Sequence, residues 1–122
     1  MHAKHISDLL ERFPDAFAVP AQSLECGDGW YSILETLCSC LSNLNQGETQ
    51  QPVLLHNFKE KFGKLRISVH SSNPEVRAWI DFAESLSTRT CEICGMRGRL
   101  IFLDGWQRVR CPDHFYIPSY EC

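Results

Sequence analysis

Over residues 6–13, Ile6, Leu9, Leu10 and Phe13 fall at helical spacing, and Pro14 is placed to end or bend the helix. Residues 16–22 read as a linker carrying Phe17, Val19 and Pro20. Cys26-Gly27-Asp28-Gly29-Trp30 is a glycine-bracketed turn in which Asp28 is positioned to cap the next helix. Trp30, Ile33, Leu34, Leu37, Leu41 and Leu44 then recur at i, i+3, i+4, which predicts an amphipathic helix with one buried face. Asn45-Gln46-Gly47 closes it, and the polar run to Gln51-Pro52 reads as a surface loop.

From Val53 the period changes. Residues 64–70 alternate strictly between polar and apolar, as a half-buried strand does, with residues 53–58 as the partner and 59–63 as the connection. Asn73-Pro74 reads as a helix start, cap followed by proline in the first turn. Val76, Trp79, Ile80, Ala83 and Leu86 supply that helix's apolar face to about Ser87. Asp104-Gly105 then separates two β-prone runs, residues 98–103 and 106–110, a strong hairpin signal. A two-residue turn pairs Leu103 with Trp106, Ile101 with Arg108 and Arg99 with Arg110. It leaves Leu100, Phe102, Gln107 and Val109 on the face expected to pack on the domain.

These elements predict an α+β fold: a small antiparallel sheet packed by two to three helices, with a C-terminal β-hairpin. Residues 1–88 form the expected α+β body, and residues 89–122 a hairpin tail packed on it as one compact unit. The chain has 122 residues, enough for one domain, and 43% of them are hydrophobic, so a core is affordable without disulfides. No apolar run approaches the length of a membrane span, and the first residues lack the pattern of a secretory signal. The expectation is a soluble cytoplasmic protein. The net charge of −3 argues against a chain built mainly to hold nucleic acid.

Seven cysteines are an odd number, and without a signal segment a disulfide framework is the poorer reading. Four candidate ligands fall in one tract: Cys91-x-x-Cys94, sixteen residues, then Cys111-x-x-His114. Each two-residue spacing lets a pair of side chains converge on one ion, and the intervening hairpin returns the second pair to the first. Three thiolates and one imidazole suit a single tetrahedral Zn²⁺, and a fourth protein ligand marks it as structural. Glu92, Asp113 and the nearby backbone N–H groups are candidates to tune the thiolates from outside the ligand set. Cys38 and Cys40 lie two apart on a helix and cannot grip one ion together. Buried thiols are the better reading of Cys26, Cys38, Cys40 and Cys122.

The blocks Cys26-Gly-Asp-Gly-Trp30, Phe58-Lys-Glu-Lys-Phe-Gly-Lys-Leu-Arg66, Thr90-Cys-Glu-Ile-Cys-Gly95, Gly105-Trp106 and Cys111-Pro-Asp-His114 resemble those of a family of small bacterial and prophage proteins with no assigned function. The resemblance covers roughly residues 24–114. It implies a zinc-ribbon-like or treble-clef-like tail on a small α+β body, and it supplies no catalytic residues.

Three functions fit these features. The leading expectation is a non-enzymatic protein-binding module, an adaptor or an inhibitor of a host or defence complex, given the prophage-like resemblance. Residues 1–57 hold two Lys/Arg and seven Asp/Glu, an acidic half suited to a basic protein surface. An ordinary solvated face explains this imbalance at least as well. The second is nucleic-acid binding through Arg97, Arg99, Arg108 and Arg110 with Trp106 at the tip, aided by Lys59, Lys61, Lys64 and Arg66. The third, a metal-dependent enzyme, needs an open metal position or an added general base, and His56 and His70 read better as structural. Candidate partner-binding residues are Arg99, Trp106, Arg108 and Arg110.

Overall fold

The computed structural model describes residues 1–18, 24–47 and 51–116. Helices α1 (Ala3–Arg12), α2 (Tyr31–Asn45) and α3 (Pro74–Ser87) accompany a three-stranded sheet of β1 (Leu24–Glu25), β2 (Leu55–Lys61) and β3 (Lys64–Val69). A two-stranded hairpin, β4 (Arg99–Leu103) and β5 (Trp106–Arg110), follows α3. The α+β class is as expected, and β2 and β3 form the expected antiparallel pair. The short β1, unassigned in the sequence reading, adds to β2 in parallel and makes the sheet mixed. Its two residues are too few to show a period.

The β2–β3 connection is tighter than expected. Lys61 pairs with Lys64, so only Phe62 and Gly63 turn the chain, both at positive φ (54° and 72°). Asp104 and Gly105 repeat this geometry at 51° and 80°. Two left-handed residues match the twist of the flanking strands. Asp-Gly signals such a turn openly; phenylalanine in the first position hides it.

The expected stripe of α2 is buried through Trp30, Ile33, Leu34, Leu37 and Leu41, with Leu44 half-buried. These side chains meet Leu55, Phe58 and Leu65 of the sheet and Val76, Ile80 and Ala83 of α3 in one core. Asn73 caps α3 as expected, accepting from the Glu75 amide at 2.9 Å. The far end of α3 satisfies the outer edge of β3: Leu65 N donates to Ser87 Oγ and Ile67 N to Glu84 Oε2, each at 2.9 Å. Covering an edge in this way removes the template for pairing with another chain.

Asp28 does not cap α2. Its carboxylate accepts from the His2 amide at 2.7 Å and lies 3.1 Å from His5 Nδ1, tying the start of α1 to the turn before α2. Burial pushes the Asp28 carboxyl up, but the His2 amide and the His5 ring pull it further down, below its ordinary value. α1 starts three residues earlier than its apolar spacing suggests, because His2 supplies the cap by accepting from Lys4 N. Among the described residues, no helix is long and apolar enough to cross a membrane.

Candidate metal centre and the adjoining surface

Cys91 ends the segment after α3, Cys94 lies three residues on, and Cys111 and His114 follow β5 in a 3₁₀ turn. Hairpin β4–β5 has the expected register, Leu103 opposite Trp106 and Arg99 opposite Arg110, so its base returns Cys111 to Cys91. The four donor atoms all lie within 4.8 Å of one another. Cys94 and Cys111 sulfurs are 3.6 Å apart, and His114 Nδ1 is 3.2 Å from Cys111 Sγ and 3.8 Å from Cys91 Sγ. The cluster is compatible with one metal site, and it is made by the four residues the spacing picked out.

The protonation states fit a cation as well. Burial raises the Cys91 thiol, but backbone N–H groups of Cys111, Cys94 and Ile93 outweigh it and hold Cys91 down at about 7. Burial and the neighbouring sulfurs push Cys94 up to about 11. Three sulfurs this close cannot all carry charge without a metal ion between them. Cys38, by contrast, is wholly buried in the core, and burial alone raises it to about 12, which makes it an inert core thiol. Cys26 is buried too, Cys40 is half-buried, and Cys122 lies outside the described residues.

The body reaches the metal knuckle through the glycine-bracketed turn. Gly29 N donates to Glu92 O at 2.9 Å and Trp30 Nε1 to Thr90 O at 2.9 Å. A Cβ on Gly27 would stand 2.1 Å from Glu92 O, and one on Gly29 2.0 Å from Cys91 O. Backbone meets backbone here, and any side chain would separate them. The motif at residues 26–30 is therefore the seat of the knuckle. In the sequence the motif reads as a turn, and nothing in its spacing signals this contact.

The environment of the centre differs from expectation at Glu92. Its carboxylate is buried and bonds Arg110, with Arg108 Nε 3.9 Å away, and does not reach the thiolates. Burial raises the Glu92 carboxyl above its ordinary value, and the two arginines limit that rise. Asp113 is exposed. His56 and His70 pack ring to ring, 4.3 Å between centroids, and neither belongs to the metal cluster.

Two of the four candidate contact residues face solvent. Trp106 is 61% exposed at the turn, and Arg99 is exposed with its guanidinium over the Phe115 ring. Arg110 is buried against Glu92, so it belongs to the interior and not to a contact surface. Arg108 is mostly covered, 3.2 Å from Glu60 Oε1 and above the Trp106 ring. The expectation that Leu100, Phe102, Gln107 and Val109 form the packed face fails for Leu100 and Phe102, which are 45% and 71% exposed. Val109 alone of them enters the main core. On the other face, Arg108 and Arg110 turn instead to the carboxylates of Glu60 and Glu92.

What sequence reading missed is the groove this leaves. Phe62, 65% exposed at the β2–β3 turn, joins Phe102 and Trp106 around a groove of about 410 Å³ shared by the two hairpin tips. An unrecognised two-residue turn hid the exposure of Phe62. No protein-family model, curated protein or solved structure matches the chain.

Proposed function

We propose that the protein is a non-enzymatic binding module, stabilised by one structural Zn²⁺, whose contact surface is the aromatic groove between the β2–β3 and β4–β5 turns. Four protein donors favour zinc: a tetrahedron with Zn–S near 2.3 Å and Zn–N near 2.0 Å has edges of about 3.5–3.8 Å. Three of the six donor separations, 3.2, 3.6 and 3.8 Å, lie near those edges, and all four donors lie within 4.8 Å of one another. A closed set of four leaves no position for a reacting water, which supports a structural ion over a catalytic one.

The observation that carries the binding role is the meeting of Phe62, Phe102 and Trp106 in the open. Large rings left in solvent at one place are the anchors of protein interfaces, where they bury much area at little entropic cost. Lys61 stands beside Phe62, and among the described residues it forms no ion pair. The partner that fits is a protein segment with apolar side chains for the rings and a carboxylate for Lys61. The prophage-like resemblance adds an adaptor or inhibitor role to this reading. Nucleic acid stacked on the same rings is the competing reading, and the internal use of Arg108 and Arg110 weighs against it.

The test is capture of partners from nuclease-treated host lysate with wild type and with a Phe62→Ser/Phe102→Ser/Trp106→Ser variant that retains its metal. A protein recovered stoichiometrically by wild type and lost from the variant supports the reading. Equal recovery by both, or binding abolished by nuclease alone, overturns it.

A further inference from the structure

The opposite end of the same hairpin carries a second recess. It has a volume of about 480 Å³ and is lined by Arg97, Gly98, Arg99, Arg110, Pro112 and Phe115, with no acidic side chain among them. We propose that this pocket binds a phosphate group. It shares no residue with the aromatic groove, so it stands apart from the proposed protein contact.

Arg97 and Arg99 are both exposed, and among the described residues neither forms an ion pair. They are two residues apart on a backbone that is fixed at three points. Arg97 bridges Thr90, Gly98 N donates to Arg89 O at 2.9 Å, and Arg99 pairs with Arg110 across the hairpin. The Arg99 guanidinium lies over the Phe115 ring, 5.7 Å from its centroid, which restrains the fork at the pocket wall.

Like charges directly opposite in a ladder repel, and Arg99 faces Arg110. Glu92 answers the charge of Arg110 from inside. Among the described residues nothing comparable answers Arg97 and Arg99, so they set the sign of the recess. The metal centre, with three thiolates and one divalent ion, contributes a single negative charge from the Cys111 side and does not cancel both. Asp113 is exposed and does not line the pocket.

Two guanidinium forks select among anions. A carboxylate is satisfied by one fork, whereas a phosphate dianion presents enough oxygens to take N–H bonds from two. The ligand class is therefore a phosphate, either free or carried on a larger molecule such as a nucleic acid.

The experiment is amide NMR on the metal-loaded protein, titrated with inorganic phosphate against a sodium chloride series of equal ionic strength, and separately with a thymidine oligonucleotide. Saturable shifts confined to Arg97, Gly98, Arg99 and Phe115 are expected. Arg97→Ala/Arg99→Ala, both surface positions, is expected to weaken them about tenfold or more while the core amides stay in place. Arg97→Lys/Arg99→Lys keeps the charge without the forks and is expected to fall between. Saturation by inorganic phosphate with no tighter oligonucleotide binding supports a free phosphate; tighter oligonucleotide binding at the same amides supports a nucleic-acid phosphate. No saturable shift with either probe, or shifts that survive the double alanine substitution, overturns the proposal.

Discussion

At the scale of single residues the chemistry lies in four side chains and one indole. Metal binding must displace protons from thiols, of which Cys94 holds its proton to about 11 in the metal-free cluster. Affinity is therefore expected to fall as pH falls, by about tenfold per pH unit for each proton released. Competition with a chromophoric chelator at several pH values measures this, and a pH-independent affinity would contradict it. Cys111→Ser is expected to lose stoichiometric metal. Trp30 is fully buried and its Nε1 satisfies Thr90 O. Trp30→Ala is expected to cost about 3–5 kcal/mol in denaturant unfolding. The ligands were legible because CxxC and CxxH spacing has a direct geometric meaning. The fate of Arg110 was not, since a charged residue in a strand gives no sign of a buried carboxylate partner in the segment between Cys91 and Cys94.

Among the elements, those with a clean period were the readable ones. α2, α3 and the β4–β5 register follow from residue spacing, cap and turn chemistry. β1 and the true end of β2 do not, because two residues carry no period and Phe62 occupies a position more often held by asparagine or glycine. The clearest expectation at this scale concerns the contact between the residue 26–30 turn and the knuckle. Gly29→Ala changes no ligand, yet its Cβ has 2.0 Å where it needs more than 3 Å. It is expected to destabilise the fold by at least about 1–3 kcal/mol and to weaken metal binding, read by calorimetry and chelator competition. A variant with unchanged metal affinity would mean that knuckle and body are independent.

For the molecule as a whole, the tail is joined to the body by three kinds of contact. Val109 enters the common core, Gly29 and Trp30 hold the knuckle backbone, and Arg108 bonds Glu60 of β2. Beneath them lies the buried pair of Arg110 and Glu92. Removing the buried carboxylate that faces Arg110, by Glu92→Leu, is expected to cost about 3–5 kcal/mol, much of it recovered when Arg110→Met is added. A double-mutant cycle reads this coupling, and additive losses would refute it. The central claim is that a single metal ion closes this junction. Its most direct test is the metal content of the purified chain, released by a thiol-modifying reagent and quantified while unfolding is followed. One zinc per chain, released together with the tertiary signal of Trp30, is the predicted result. A chain that holds no stoichiometric metal, or keeps its folded signal once the metal is gone, would contradict the account.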